Sequence, residues 1–370
     1  MKIKKSKPLC IDLFCGGGGL SLGLKMANFD ICMGVESDPA HYLVYTKNHQ
    51  NTPVLLKDIQ EIHKLAPILS LLKLKAEDID LIAGGPPCQG FSVANKKTRN
   101  RDNNKNDLVY DFVRIVNEVK PKVFLLENVI GLTSLENGEL FNDLLQKFEK
   151  IDYNINHFVL DAAHYGVPQH RKRIFITGSL GKEIREPNPS HGNNYNYSFV
   201  TVKDAIVGDL PKLNPRRGEQ IMSYINEPQS KYQKQIRKNC TKVYDHLITL
   251  NSKKVKRRIS YIQPGTSLCN LMKENQLPND LKVICDHGSV YRRLDPNEPS
   301  VTLGNFRKAM IIHPYQNRLL SLREAARLQS FPDTYRFPGL LSHMQQLIGD
   351  AVPPLLAKKI GINIQKSLVE

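Results

Sequence analysis

Residues 11–30 read IDLFCGGGGLSLGLKMANFD: an apolar run that ends at Phe14, four glycines, and a helix-forming segment that opens near Leu20. A strand that passes into a helix through glycines implies a sharp turn beneath a ligand. Glycine permits the turn and lets the backbone approach a nucleotide-like group closely, with the helix N-terminus nearby. The next apolar run ends in GVESD (residues 34–38) and delivers Glu36. It stands about 20 residues beyond the turn, the spacing at which a carboxylate accepts hydrogen bonds from ribose hydroxyls. A third run, VLLKDI, ends on Asp58, placed to accept a bond from an adenine amino group. Together these features imply an adenosine-bearing cofactor. They do not separate a nicotinamide dinucleotide from S-adenosylmethionine, although the glycines miss the strict G-x-G-x-x-G register of the former.

Outward from this turn, apolar runs and amphipathic stretches alternate from residue 9 to about 178. LCIDLF, DICMGVE, DLIAGG, KVFLLEN and RIFITGS read as buried strands, and DLVYDFVRIVNEV and GELFNDLLQKFEKI as helices. The alternation predicts a doubly wound, Rossmann-like α/β sheet with ligands beyond the carboxyl ends of its strands. After Gly178 the texture changes. Residues 181–290 are rich in Asn, Pro, Lys and Tyr, with turn signals such as REPNPSHGNN and LNPRRGEQ, and predict a smaller, loop-rich unit. SLREAARLQSFPD reads as a short helix stopped by Pro332, and PPLLAKKIGINIQKSL as a helix opened by prolines. The expected division is a cofactor-binding domain over 1–178, a second domain over 179–320, and C-terminal helices over 321–370 that return to the first.

With 370 residues, 41% of them hydrophobic, the chain can bury substantial cores. Lys and Arg number 52 against 36 Asp and Glu, a formal charge of +16 that suits a polyanion such as nucleic acid. Between Lys231 and Arg258 ten basic residues face one acid, Asp245, with Tyr232, Tyr244 and His246 interleaved. Such a run is either a solvated face or a nucleic-acid surface. Seven cysteines, an odd number with no C-x-x-C pair, predict reduced thiols and no metal site. The N-terminus lacks a signal sequence and no apolar run is long enough to span a membrane, so the expected location is the cytoplasm.

GGPPCQGFS (residues 84–92) places Cys88 after a strand, at the same sheet edge as the glycine turn. Most lone cysteines are inert small hydrophobes, but two prolines fix the backbone ahead of this one. The segment that follows, VANKKTRNRDNNKND, is basic, rich in Asn and too polar to pack, and reads as a lid attracted to phosphate. KVFLLENVIGL delivers Glu127 and Asn128 to that edge. A carboxyl group behind an apolar run is desolvated and suited to act as an acid, or serves as a helix cap or ion-pair partner. YGVPQHRKRIFI presents Arg171 and Arg173, two apart on a strand and hence on one face.

In the order DLFCGGGGLSLG, GGPPCQGFS, ENV, QHRKR, YRRLDPNEPSVTL, REAARLQSFP and IGDAVPPLLA, nearly the whole chain resembles the DNA (cytosine-5)-methyltransferases of the compact bacterial restriction-modification type. The resemblance implies an S-adenosylmethionine-dependent methyltransferase, with S-adenosylhomocysteine as product and no metal. Its second domain would be the target recognition domain. The cofactor site would be lined by Phe14, Gly16, Gly18, Glu36, Asp58, Pro86, Leu108 and Asp350. Cys88 would be the nucleophile, Glu127 the group at cytosine N3 and N4, and Arg173 the contact to O2, with Arg171 supporting the loop. Contacts to double-stranded DNA are expected from Gln89, Ser92, Lys96, Lys97, Arg99 and Arg101 of the lid, and from Arg257, Arg258, Arg292 and Arg293. The implied reaction methylates C5 of a flipped-out cytosine through a Cys88–C6 adduct, protecting host DNA from a partner restriction endonuclease, with the enzyme a monomer on DNA. Two rival substrates or roles are transfer RNA and sequence-specific binding without catalysis. Where the family usually has Gly-Asn, this chain has Gly349-Asp350, from which reduced but surviving activity is expected. The lid ends NKNDL where an Arg-Asn pair commonly precedes the Leu. Only eight residues precede the first strand, so no N-terminal regulatory domain is expected.

Overall fold

The run that precedes Phe14 is strand β1 (Leu9–Leu13) of the computed structural model, which describes residues 7–87, 107–213, 218–283 and 290–369. With β2 (Asp30–Glu36), β3 (Val54–Leu56), β4 (Ile79–Gly84), β5 (Val123–Asn128), β6 (Asn154–Asp161) and β7 (Lys172–Ser179) it forms a seven-stranded sheet of order β3-β2-β1-β4-β5-β7-β6. The first five strands pair in parallel, and β7 runs antiparallel to both β5 and β6. Connections are made by α1 (Gly19–Met26), α2 (Pro39–Asn48), α3 (Ala66–Leu71), α4 (Asp107–Val119) and α5 (Glu139–Glu149). From β1 the chain builds outward to β2 and β3, then returns to place β4 on the other side. The order therefore reverses between β1 and β4, where a doubly wound sheet opens its ligand crevice. Both segments singled out in the sequence, the glycine turn after β1 and the Gly-Gly-Pro-Pro segment after β4, leave the sheet at that point.

Hydrophobic periodicity explains these elements. β5 is buried along its whole length, as its unbroken apolar run requires. On α4, Val109, Phe112, Val116 and Val119 recur at helical spacing and are buried; on α5, Phe141, Leu144 and Phe148 do the same. Phe124 of β5 stacks on Phe148 with ring centroids 4.0 Å apart, and Phe112 meets both edge-on. Truncating any one of these rings to alanine costs about 3–5 kcal/mol. The C-terminal helix Pro354–Val369 belongs to the same unit and buries Leu356, Ala357, Ile360 and Ile364. Strand β6 was not anticipated. Its sequence, NINHFVLD, mixes polar and apolar residues without a long apolar run; it is an edge strand whose side chains alternate between exposed and buried over 157–160.

The second unit comprises residues 162–171 and 189–353. It contains a hairpin of β8 (Gly218–Ser223) and β9 (Lys242–Leu247) and short helices: α6 (Val202–Ile206), α7 (Lys231–Ile236), α8 (Lys253–Ser260), α9 (Leu268–Lys273), α10 (Leu322–Leu328) and α11 (Leu341–Asp350). The chain rejoins the first unit at Pro354, because α10 packs within the second: Arg323 Nε donates to Tyr244 O, and Arg327 Nη1 to Ala205 O. The helix over 322–328 stops ahead of Pro332 as its sequence requires, with Ser321 and Glu324 forming a reciprocal cap. Cys10, Cys15, Cys32 and Cys240 are free thiols, whereas Cys269 is disulfide-bonded, against the expectation that every cysteine is reduced.

Candidate active site

Three residues of the turn after β1 adopt left-handed backbone: Phe14 (φ 58°), Gly16 (φ 53°) and Gly18 (φ 81°). At Phe14 this costs about 1–3 kcal/mol, a strain typical of ligand-binding turns. The turn is held by Gly18 N–H donating to Cys15 O at 2.9 Å and Cys15 N–H to Val35 O at 3.0 Å. A side chain at Gly16 would meet nothing nearer than Phe14 O at 3.9 Å, so the turn faces open space. Glu36, at the end of β2, is buried and oriented by backbone donors. Gly16 N–H reaches its Oε2 at 2.8 Å, while the Ser37 and Asp38 N–H groups reach Oε1 at 3.0 and 2.8 Å. Asp58 follows β3 and caps the short 3-10 helix after it through Gln60 N–H. Leu108 is half-buried in the first turn of α4.

This set fits an adenosylated sulfonium. Two carboxylates stand at adjacent strand ends, as recognition of ribose hydroxyls and an amino group requires. The turn's own Gly16 N–H is spent on a carboxylate, which opposes a pyrophosphate and suits a cationic ligand. Beneath the turn lies a buried acid that the sequence reading missed. Asp12 accepts from Ser21 Oγ at 2.6 Å, and Ser21 Oγ lies 2.7 Å from Tyr45 Oη. Its signal was a charged residue inside the apolar run of β1. Burial pushes its carboxyl up to about 7, with Ser21 pulling the other way.

Because β7 is antiparallel, it begins at the edge where β5 ends, with Asn128 opposite Ile174. Arg173 is thereby carried to Glu127, and its Nε lies 3.2 Å from Glu127 Oε1, both side chains largely buried. Gly85 makes room for that carboxylate: a Cβ there would lie 3.0 Å from Glu127 Oε2. Asn128 Nδ2 donates to Pro86 O at 3.3 Å, bracing the start of the Gly-Gly-Pro-Pro loop against the end of β5. Pro86 is buried. Cys88, Gln89, Ser92, Lys96, Lys97, Arg99 and Arg101 lie outside the described residues.

In the second unit, Arg171 stands just before β7 rather than on it. It is fully buried, donating from Nη1 to Leu303 O and from Nη2 to Asp350 O. Gln169, also missed, donates to Leu328 O and accepts from Leu303 N–H. Asp350 is exposed at the end of α11, and both carboxylate oxygens accept from Gln346 Nε2 at 2.8 Å. It belongs to the second unit, whereas the other candidate cofactor residues belong to the first. Arg258 and Arg293 are buried, the former donating to Leu281 O and Tyr291 Oη, the latter to the carbonyls of Ile259, Ile262, His313 and Gln316. Guanidinium groups so bonded hold loops together. Arg257 is exposed beside Asp280 at 2.9 Å, and Arg292 is half-buried. Tyr232 and His246 of the basic run are core residues, bonded to Arg327 O and to Ser321 and Pro211.

Among the described residues no group of three His, Cys, Asp or Glu side chains could hold a metal ion, and no helix is long and apolar enough to cross a membrane. The family model for C-5 cytosine-specific DNA methylase matches residues 9–366. The type II methyltransferase M.DdeI of Desulfomicrobium norvegicum is 34% identical, covering 96% of this chain and 88% of the relative. The type II methyltransferase M1.HphI of Haemophilus parahaemolyticus is 36% identical, covering 96% and 86%. A crystal structure of an E. coli prophage protein assigned as a DNA modification methyltransferase superposes with a TM-score of 0.77 at 29% identity, covering 98% of this chain and all of that one. A seven-stranded sheet with its switch point at a strained glycine turn, a Glu–Arg pair at the neighbouring strand ends, and a family match over almost every residue lead to one assignment: the chain belongs to the C-5 cytosine-specific DNA methylases.

Proposed function

We propose that this DNA cytosine-5 methyltransferase modifies a flipped-out cytosine within a specific double-stranded sequence, by way of a covalent bond between Cys88 and C6. The observation that carries the reading is the buried Glu127–Arg173 pair beside Gly85 and Pro86, two strands from the glycine turn. Cytosine C5 is a poor nucleophile. Addition of the Cys88 thiolate to C6 makes C5 enamine-like, while Glu127, sharing a proton with N3, and Arg173 at O2 stabilise the charge that the ring acquires. Phe14, Gly16, Gly18, Glu36, Asp58, Pro86 and Leu108 would hold S-adenosylmethionine, which would supply the electrophilic methyl group to C5 and leave as S-adenosylhomocysteine. Transfer of the C5 proton to water and expulsion of the Cys88 thiolate would then restore the aromatic ring. C6 is shielded inside a duplex, so the base must leave the stack. Methylation of every copy of one short sequence would protect host DNA from a partner endonuclease.

Bisulfite sequencing of plasmid DNA from a host without cytosine methylation tests this reading. Expression of the chain is expected to protect cytosines in one short context, and Cys88→Ser to abolish that protection while DNA binding persists. Glu127→Gln is expected to lower turnover by about 10²–10⁴-fold. Protection of no DNA cytosine, with methyl groups transferred to transfer RNA instead, would overturn the substrate assignment.

A further inference from the structure

The carbonyl of Gly18 is held from two directions. Leu22 N–H, in the first turn of α1, donates to it at 2.9 Å, and the His49 ring approaches it through Nε2 at 3.2 Å. His49 stands at the C-terminal end of α2, 2% exposed, with its ring stacked on Tyr45 at 4.3 Å between centroids. Its other nitrogen, Nδ1, lies 3.1 Å from Lys25 Nζ, and Lys25 is fixed in turn by donating to Thr52 Oγ1 at 2.8 Å.

These contacts define the tautomer. An ammonium can only donate and a carbonyl can only accept, so Nδ1 accepts from Lys25 and the proton sits on Nε2, aimed at Gly18 O. Burial and the neighbouring Lys25 charge push the ring down to about 3, so it remains neutral across the physiological range. The bond therefore does not switch with pH. What it fixes is the plane of the peptide that follows Gly18, whose φ of 81° places it in the strained turn described above.

We propose that His49, oriented by Lys25, is a positioning residue for cofactor binding: it holds the Gly18 carbonyl and thereby keeps the glycine turn in its open, left-handed form. The assignment rests on reading that turn as the S-adenosylmethionine site. Its logic is preorganisation, since a turn already held in a strained conformation spends no binding energy on reaching it. Two hydrogen-bonded chains converge here. Tyr45 Oη, Ser21 and Asp12 brace the strand below the turn, while Thr52, Lys25 and His49 brace its carbonyl, and the Tyr45–His49 stack joins the two.

The test measures the dissociation constant of S-adenosylhomocysteine by calorimetry, and KM and kcat with plasmid DNA, for His49→Phe, His49→Gln and Glu36→Gln. Phenylalanine fills the ring's space without a donor, whereas glutamine returns an amide N–H near the position of Nε2. His49→Phe is expected to weaken binding and raise the cofactor KM about tenfold, as for one lost hydrogen bond, with kcat at saturation within about twofold. His49→Gln is expected to recover most of the affinity. Unchanged affinity in His49→Phe, with Glu36→Gln impaired, would overturn the role of His49 and leave the cofactor site intact. Unchanged affinity in Glu36→Gln would overturn the site itself, and the inference with it. Equal losses of melting temperature and affinity in the Phe and Gln variants would reduce His49 to a packing residue. Should His49→Phe fail to fold, Lys25→Met, at a half-buried position, supplies the same readout by releasing the tautomer.

Discussion

Asp12 is the residue whose charge the fold suppresses most plainly. Burial lifts its carboxyl from the ordinary aspartate range to about 7, so the folded chain holds the proton over a window in which the unfolded chain has released it. The sign follows: the contribution to stability is complete below the unfolded value near 3.9 and is lost as pH rises to about 7. The loss is on the order of 4 kcal/mol, at about 1.4 kcal/mol per unit. Buried His246 and His313 act in the opposite sense, since burial pushes them down to about 4 and about 3. Their contribution is lost as pH falls below about 6.5. The difference between Asp12→Asn and the parent chain isolates the aspartate, because asparagine still accepts from Ser21 Oγ. Melting at several pH values between 5 and 8 should show the variant gaining on the parent as pH rises. A constant offset would mean that Asp12 is ionised throughout.

α10 shows how an element can carry charge into a core. All seven of its residues are buried, Arg323, Glu324 and Arg327 among them. Burial alone would raise Glu324, but Arg318, bonded to both its oxygens at 2.7 and 2.8 Å, holds it well below the usual carboxylate range. Arg327 donates to Asp209 through two nitrogens and to Asp333 through two more contacts, and Asp209 also pairs with Arg237 at 3.2 Å. Asp209→Ala would leave Arg237 without its carboxylate and Arg327 with Asp333 alone, and breaking a buried pair costs about 3–5 kcal/mol. A melting temperature lower by roughly ten degrees is expected; a shift within error would mean that desolvation cancels the network's attraction. Elements of this kind also show what the sequence conceals. β1, β2, β4 and β5 were legible because parallel strands covered on both faces read as continuous apolar runs, and α4 because its apolar residues keep helical spacing. β6 was not, since this edge strand has no long apolar run and mixes polar with apolar residues like a surface segment. Glu127 and Arg173 were each legible as a strand-end charge, though not as partners; Asp12, His49 and Gln169 were not singled out, because only the fold shows the groups they bond. A run of cations says nothing of burial: within it Lys253, Lys254 and Lys256 are exposed and Arg258 is buried.

At the scale of the molecule, the formal charge of +16 sets how it meets a polyanion. Each phosphate neutralised releases counterions, so the logarithm of affinity falls linearly with the logarithm of salt, with a slope of about −0.9 per contact. The described cations of the basic run divide into two kinds. Lys253, Lys254 and Lys256 are exposed on α8, while Arg258 on the same helix is buried against Leu281 O and Tyr291 Oη. If α8 meets the DNA backbone, replacing the three lysines by alanine should flatten the salt slope by about 2–3 and weaken binding far more at 50 mM than at 300 mM salt, with little change in preference among sequences. Arg258→Ala should act differently, lowering the melting temperature and leaving the slope of the remaining folded protein unchanged. Fluorescence anisotropy on one methylatable duplex across a salt series reads both variants. An unaltered slope in the triple variant would make α8 a solvated face, and would move the phosphate contacts to the chain's other cations, whose number the parent slope itself reports.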